Sequence, residues 1–115
     1  MVKYSERRKQ CIIQAFGDYK VSLIVTTNLH ESMKRRHIPF EPNDSHTSGL
    51  HSFGGGNSTI MVTENAAIKT IAHECWHAVR EIFSRTEAKM DNELVAYCLG
   101  YLTEQLYNLV YRRVK

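Results

Sequence analysis

Residues 66–84 read AAIKTIAHECWHAVREIFS, and the spacing of their side chains decides how the rest of the chain is read. Ile68, Ile71, Cys75, Val79 and Ile82 recur at three- and four-residue intervals, the period of one helical face. His73 and His77 stand one turn apart on nearly the opposite side. Glu74 lies about 100° around the helix from His73 and about 60° from His77, so it borders the histidine face. An aliphatic stripe on one side and a His-Glu-His set on the other predict two contacts, a core and an ion. Trp76 turns away from the histidine face and is expected in the core.

The neighbouring segments extend this pattern. Residues 91–112 predict a final helix capped by Asp91, with Val95, Leu99, Leu102, Leu106 and Leu109 as its core stripe. Upstream, residues 50–53 and 58–62 flank Gly54, Gly55, Gly56 and Asn57, a turn that suits a β-hairpin. A phosphate-cradling glycine loop would need a helix directly behind it, and the strand-like Thr59, Ile60, Met61 and Val62 follow instead. Thr63 or Asn65 then caps the histidine helix. Residues 20–27, KVSLIVTT, are β-branched and read as a strand. Residues 5–16 read as a helix that Ser5 caps and Gly17 stops. Between residues 28 and 48 a short helix around 31–36 gives way to a Pro- and Asn-containing loop. The expected fold is α+β, a minimal domain spanning residues 1–115. A small antiparallel or mixed sheet carries an N-terminal helix, the histidine helix and a C-terminal helix.

Composition narrows the function classes. The chain has 115 residues, 43% hydrophobic and 23% charged, which suits one soluble globular domain. No apolar run approaches the ~20 residues that span a bilayer, and no membrane partner is expected. The polar N-terminus lacks a signal-peptide pattern, so the expected location is cytoplasmic. A net charge of +3, from 15 Lys and Arg against 12 Asp and Glu, is too weak to imply a nucleic-acid partner. Three basic clusters read as solvated helix faces and ends: Arg7-Arg8-Lys9, Lys34-Arg35-Arg36, and Arg112-Arg113 with Lys115. Cys11, Cys75 and Cys98 sit among apolar residues that read as helical, and their spacing fits neither a disulfide framework nor a CxxC site. They are expected to be small buried hydrophobes in a reducing compartment. Oligomeric state is not legible, although the hairpin edge and the long final helix could each serve a dimer.

The histidine helix carries the chemistry. His73 and His77 can direct ring nitrogens at one Zn2+ at the ~2.0–2.1 Å typical of zinc–nitrogen bonds. Glu74 beside them can accept a proton from zinc-bound water, the general-base role in metal-assisted hydrolysis. A catalytic zinc takes three protein ligands and one open position. Glu93 is the expected third ligand, because it opens the last helix and shares its face with Ala96 and Gly100, small residues that permit a close helix approach. Glu87 and Asp91 are rivals. For the developing oxyanion, Tyr97 one turn beyond Glu93 is the first candidate donor and His51 on the hairpin is the second. His30, His37 and His46, in a polar segment, read as solvated.

HECWH, then a turn, then DNELVAY resembles the zincin metallopeptidases, in the gluzincin branch where a glutamate on the following helix completes the ligand set. The resemblance covers roughly residues 50–105. It implies His73, His77 and Glu93 as ligands and Glu74 as base. It also implies that the strand at residues 59–62 is an edge on which an extended substrate pairs. The D-N-E-x-x-A-Y-x-x-G-Y run is similar to that of small HExxH proteins of phage and prophage origin, for which the location is the host cytoplasm. The expected function is therefore a zinc-dependent hydrolase, a minimal metallopeptidase acting on a peptide or protein substrate. The alternative is a non-catalytic binding module in which zinc staples the two C-terminal helices. A nucleic-acid-associated role is the weakest of the three.

Overall fold

The computed structural model describes residues 3–17, 19–39, 49–54, 57–86 and 91–112. Four strands, β1 (Glu6–Ile13), β2 (Tyr19–Thr26), β3 (Gly49–Gly54) and β4 (Asn57–Thr63), form one mixed sheet in the order β1-β2-β4-β3. β1 and β2 are antiparallel, β2 and β4 are parallel, and β3 and β4 make the antiparallel hairpin. A 3-10 turn, Gln14–Phe16, joins β1 to β2. The helices are α1 (Leu29–Arg35), α2 (Ile68–Thr86) and α3 (Asn92–Tyr111). Among the described residues no helix is long and apolar enough to cross a membrane.

Strand alternation sorts the side chains into two layers. Val21, Leu23 and Val25 of β2, with Ile60 and Val62 of β4, meet Ile71, Cys75, Val79 and Ile82 of α2 and Cys98, Leu102, Leu106 and Val110 of α3 in the main core. On the other face, Ile24 and Met61 pack with Leu29 and Met33 of α1. β2 and β4 are therefore covered on both sides, which explains their nearly continuous apolar runs.

The helix expected over residues 5–16 is instead β1 and the 3-10 turn. Arg, Lys and Gln favour a helix locally, but Cys11 and Ile13 alternate into the main core opposite Val21 and Tyr19. Tertiary pairing outweighs a propensity worth a few tenths of a kcal/mol per residue. Gly17 does act as the stop, in the left-handed conformation at φ 67°. Cys11 thus lies on a strand rather than a helix, although all three cysteines are free and buried as expected. A second correction concerns β4, expected as an edge: β2 and β3 flank it, and β3 is the outer strand.

On the far side of the sheet Glu6 anchors α1. Arg36 Nη1 and Nη2 donate to its two oxygens at 2.7 and 2.8 Å, and the Ser32 and Tyr4 hydroxyls also donate to it. The arginine hydrogen bonds, assisted by Ser32 and Tyr4, outweigh burial and hold the Glu6 carboxyl well below the usual carboxylate range. At the same end of β1 but on the opposite sheet face, Arg7 donates through Nε and Nη2 to the Leu109 carbonyl at 3.1 and 3.0 Å, and through Nη2 to the Val110 carbonyl at 3.2 Å. These bonds satisfy carbonyls that the end of α3 leaves without helical donors.

Candidate metal centre

α2 packs against β4 and the outer strand β3, and this contact shapes the site. The expected stripe is buried at Ile71, Cys75, Val79 and Ile82, whereas Ile68 in the first turn is 60% exposed. Trp76, expected in the core, is 37% exposed on the outer side of α2. The aliphatic stripe and Ala78 already fill the sheet-facing arc, so the indole has no room beneath the helix. The Thr63 hydroxyl is buried with no hydrogen-bond partner among the described residues, so it does not cap α2.

His73 and His77 are exposed, and their Nε2 atoms converge to 3.0 Å, with the ring planes at 82°. Two imidazole nitrogens on one tetrahedral zinc lie about 3.3 Å apart, given bonds of ~2.0–2.1 Å. The observed separation is a few tenths of an ångström short of that span. Glu74 lies at the junction of α2 and β3 and is 8% exposed. Burial pushes its carboxyl above the ordinary carboxylate value, and the charges of His73 and His77 pull in the other direction. A carboxylate whose pKa is raised is a stronger proton acceptor than an ordinary one.

β3 supplies two residues to this place. Its register pairs Gly49 with Val62 and His51 with Ile60, which puts both on the sheet face toward α2. A Cβ on Gly49 would lie 2.9 Å from Glu74 Cγ and 3.2 Å from Glu74 Oε2. The missing side chain is what lets Glu74 lie against the strand. His51 stacks on His77 with ring centroids 6.4 Å apart and planes at 16°. Its Nε2 is buried and has no hydrogen-bond partner among the described residues. Burial lowers the His51 pKa, Glu81 opposes that shift and His77 adds to it.

Other expected site residues lie elsewhere. Glu93 is exposed in the first turn of α3, with its N–H bonded to the Asp91 side chain at 3.0 Å. Asp91 spends the same oxygen capping Leu94 N at 3.0 Å. Ala96 and Gly100 are also exposed, and a Cβ on Gly100 would meet open space, so no close helix approach occurs there. α3 turns Cys98, Leu102 and Leu106 inward instead, because those longer side chains bury more apolar surface. Among the described residues, no three His, Cys, Asp or Glu side chains are grouped so as to hold a metal ion. Glu87 and His46 lie outside the described residues. His30 and His37 belong to α1 and the turn after it, on the sheet face away from α2.

Tyr97 is 68% exposed and lines a cavity of about 410 Å³ with Ile12, Ile13, Gln14 and Tyr101. That cavity lies at the β1 edge, whereas His77 packs beside β3 at the other edge. Three strand spacings of about 4.8 Å separate those edges, so Tyr97 and the histidine pair do not share a site. Gly49 was the residue that pattern reading missed. Gly49 opens β3 just ahead of the strand-like residues 50–53, a place where a glycine reads as loop, so its close approach to Glu74 was not visible in the sequence.

No protein-family model, curated protein or solved structure matches the chain.

Proposed function

We propose that this chain is a zinc-dependent hydrolase of the zincin type that cleaves a peptide or amide bond. The observation that carries the reading is the convergence of His73 Nε2 and His77 Nε2 to 3.0 Å beside the buried carboxyl of Glu74. Two imidazole nitrogens suit a borderline-soft cation, and a carboxylate beside them suits proton transfer. A bound zinc would supply a Lewis acid and lower the pKa of a water in its open position. Glu74 takes a proton from the attacking water and passes it to the leaving amine. Burial against β3 holds that carboxylate in place and keeps it short of solvent. The proposal rests on His73, His77 and Glu74, since Glu93 stands on an exposed side of α3.

The test combines metal analysis with a random fluorogenic peptide library. Wild type is expected to hold one zinc per chain and to hydrolyse a subset of peptides. His73→Ala and His77→Ala lose the metal. Glu74→Gln keeps it and loses turnover. A Glu74→Gln variant that turns over normally overturns the assigned chemistry. Stoichiometric zinc without hydrolysis in the wild type would favour the zinc-stapled binding module.

A further inference from the structure

We propose that the open edge of β1 docks an extended acidic peptide, which joins the sheet as a further strand and seats an apolar side chain between β1 and α3. This site lies at the opposite edge of the sheet from the histidine pair and does not depend on the metal reading. Backbone geometry carries the first part. β1 is an outer strand, and among the described residues no strand lies beyond it. The Thr27 N–H donates to the Ser5 carbonyl at 3.1 Å, and this pair adjoins the pair of Glu6 and Thr26. Opposed residues of an antiparallel pair alternate between bonded and unbonded, so Arg7, Lys9 and Cys11 bond to β2. The N–H and C=O groups of Arg8, Gln10 and Ile12 therefore turn away from β2, as the donors and acceptors of another ladder.

The surface beside that edge says what fits it. Ile12 is 45% exposed, and with Tyr97 and Tyr101 it lines the cavity of about 410 Å³. Ligand pockets span roughly 300–1,000 Å³, so one aromatic side chain is readily held. Toward the other end of β1, Arg8 is tied only to Glu6, whose carboxylate Arg36 also grips. Lys9 is exposed and forms no ion pair among the described residues. Charges on an edge strand commonly serve only to repel other strands. Along β1 they stop at Lys9, and apolar surface takes over where such protection is needed most. An occupant with carboxylates opposite Arg8 and Lys9 turns the same charges into attraction. A second copy of the chain fits poorly, because antiparallel pairing of β1 with itself gathers two Arg7-Arg8-Lys9 runs on one edge. Antiparallel docking, the more stable arrangement, sets the N-terminal end of the peptide at Ile13 and its acidic end at Arg8. The residue opposite Ile13 then faces α3 and enters the cavity.

The probe is the heptapeptide acetyl-Phe-Val-Val-Thr-Glu-Glu-Thr-amide, which places Phe opposite Ile13 and the glutamates opposite Lys9 and Arg8. In a heteronuclear NMR titration it should bind with a Kd of about 10–100 µM and shift the amides of β1, Tyr97 and Tyr101. Lys in place of both glutamates, or Ala in place of Phe, should each weaken it at least about fivefold. Gln10→Pro removes an outward N–H and leaves the bonds to β2 intact, so the fold should survive while affinity falls at least about tenfold. Tyr97→Ala and Lys9→Glu keep the test available where the proline variant misfolds. The first should weaken the probe, and the second should reverse the preference between the glutamate and lysine peptides. No saturable binding up to about 1 mM would overturn the proposal. So would binding that folded Gln10→Pro, or Tyr97→Ala and Lys9→Glu together, leave unchanged. Binding abolished by EDTA would move the peptide to the histidine pair and overturn it too. A dimer in sedimentation equilibrium that folded Gln10→Pro dissolves would assign the edge to a second copy instead.

Discussion

Replacing Gly49 by alanine places a methyl carbon 2.9 Å from Glu74 Cγ and 2.9 Å from Thr70 Cγ2. Carbon atoms rest at about 3.5–4.0 Å, so α2 and β3 must separate, or both side chains must retreat, by about 0.6–1 Å. Neither route is free, because Glu74 is 8% exposed and Ile71 and Cys75 on the adjoining face of α2 are fully buried. Overpacking of this kind costs about 1–3 kcal/mol. For a domain of this size that corresponds to a Tm lower by roughly 4–12 °C. On the proposed hydrolase reading, a base displaced by up to an ångström would lose about 10²-fold in turnover. His73 and His77 are exposed and are not among the atoms nearest the added methyl, so on the same reading zinc should stay at one per chain. Circular dichroism melts, elemental analysis and peptide turnover measure the three quantities on the same sample. A Gly49→Ala protein with wild-type Tm and wild-type turnover would refute the packing of Glu74 against β3. Loss of zinc with an unchanged melt would refute the proposed division between Glu74 as base and His73 and His77 as ligands.

Three further outcomes follow from groups away from the site. Glu6→Gln should cost about 2–3 kcal/mol in urea denaturation at pH 7, less than a fully buried pair because Arg36 is 26% exposed. The Glu6 pKa is depressed on folding, so its contribution is complete above the unfolded value near ~4.3 and fades as pH falls below it. The gap between wild type and Glu6→Gln should therefore narrow from pH 6 to pH 3, and a constant gap contradicts the ion pair. Burial raises the thiols of Cys11 and Cys98 and pushes Cys75 up to about 12, so native protein should leave all three unreacted with a disulfide reagent at pH 8. Rapid labelling without denaturant would show that the core opens. Asp91→Ala removes the cap on Glu93 N and Leu94 N and should lower stability by about 1 kcal/mol, whereas an unmoved urea midpoint would show that the cap is idle.

The elements most legible in the sequence were those whose periodicity is strong and local. The stripe from Ile71 to Ile82 and the glycine turn beyond Phe53 defined α2 and the hairpin, because helix and turn chemistry act over a few residues. β1 was illegible for the opposite reason. Its strand identity comes from Val21 and Tyr19 across the sheet and from α3, none of which residues 5–16 can announce by themselves. The edge position expected for β4 came from the resemblance, and nothing local in residues 57–63 announces the parallel partner β2, which lies more than 30 positions earlier in the chain. At the site, helical geometry fixed the approach of His73 to His77, and alternation along β3 brought His51 to them. The rotation of α3 about its axis depends on which of two flanking apolar sets packs deeper. Cys98 and Val110 went inward, and Glu93 and Gly100 went outward.

The bonds from Arg7 to the carbonyls of Leu109 and Val110 have a consequence for the order of assembly. They join positions 102 and 103 residues apart, almost the full span of the chain. A polypeptide growing from its N-terminus makes β1 first, yet Cys11 and Ile13 must wait for α3 before their apolar face is covered. Closing so long a loop is paid for late, once most of the chain exists. The hairpin and α2 precede α3 in the chain, so the histidine pair is synthesised before the helix that covers Cys11 and Ile13.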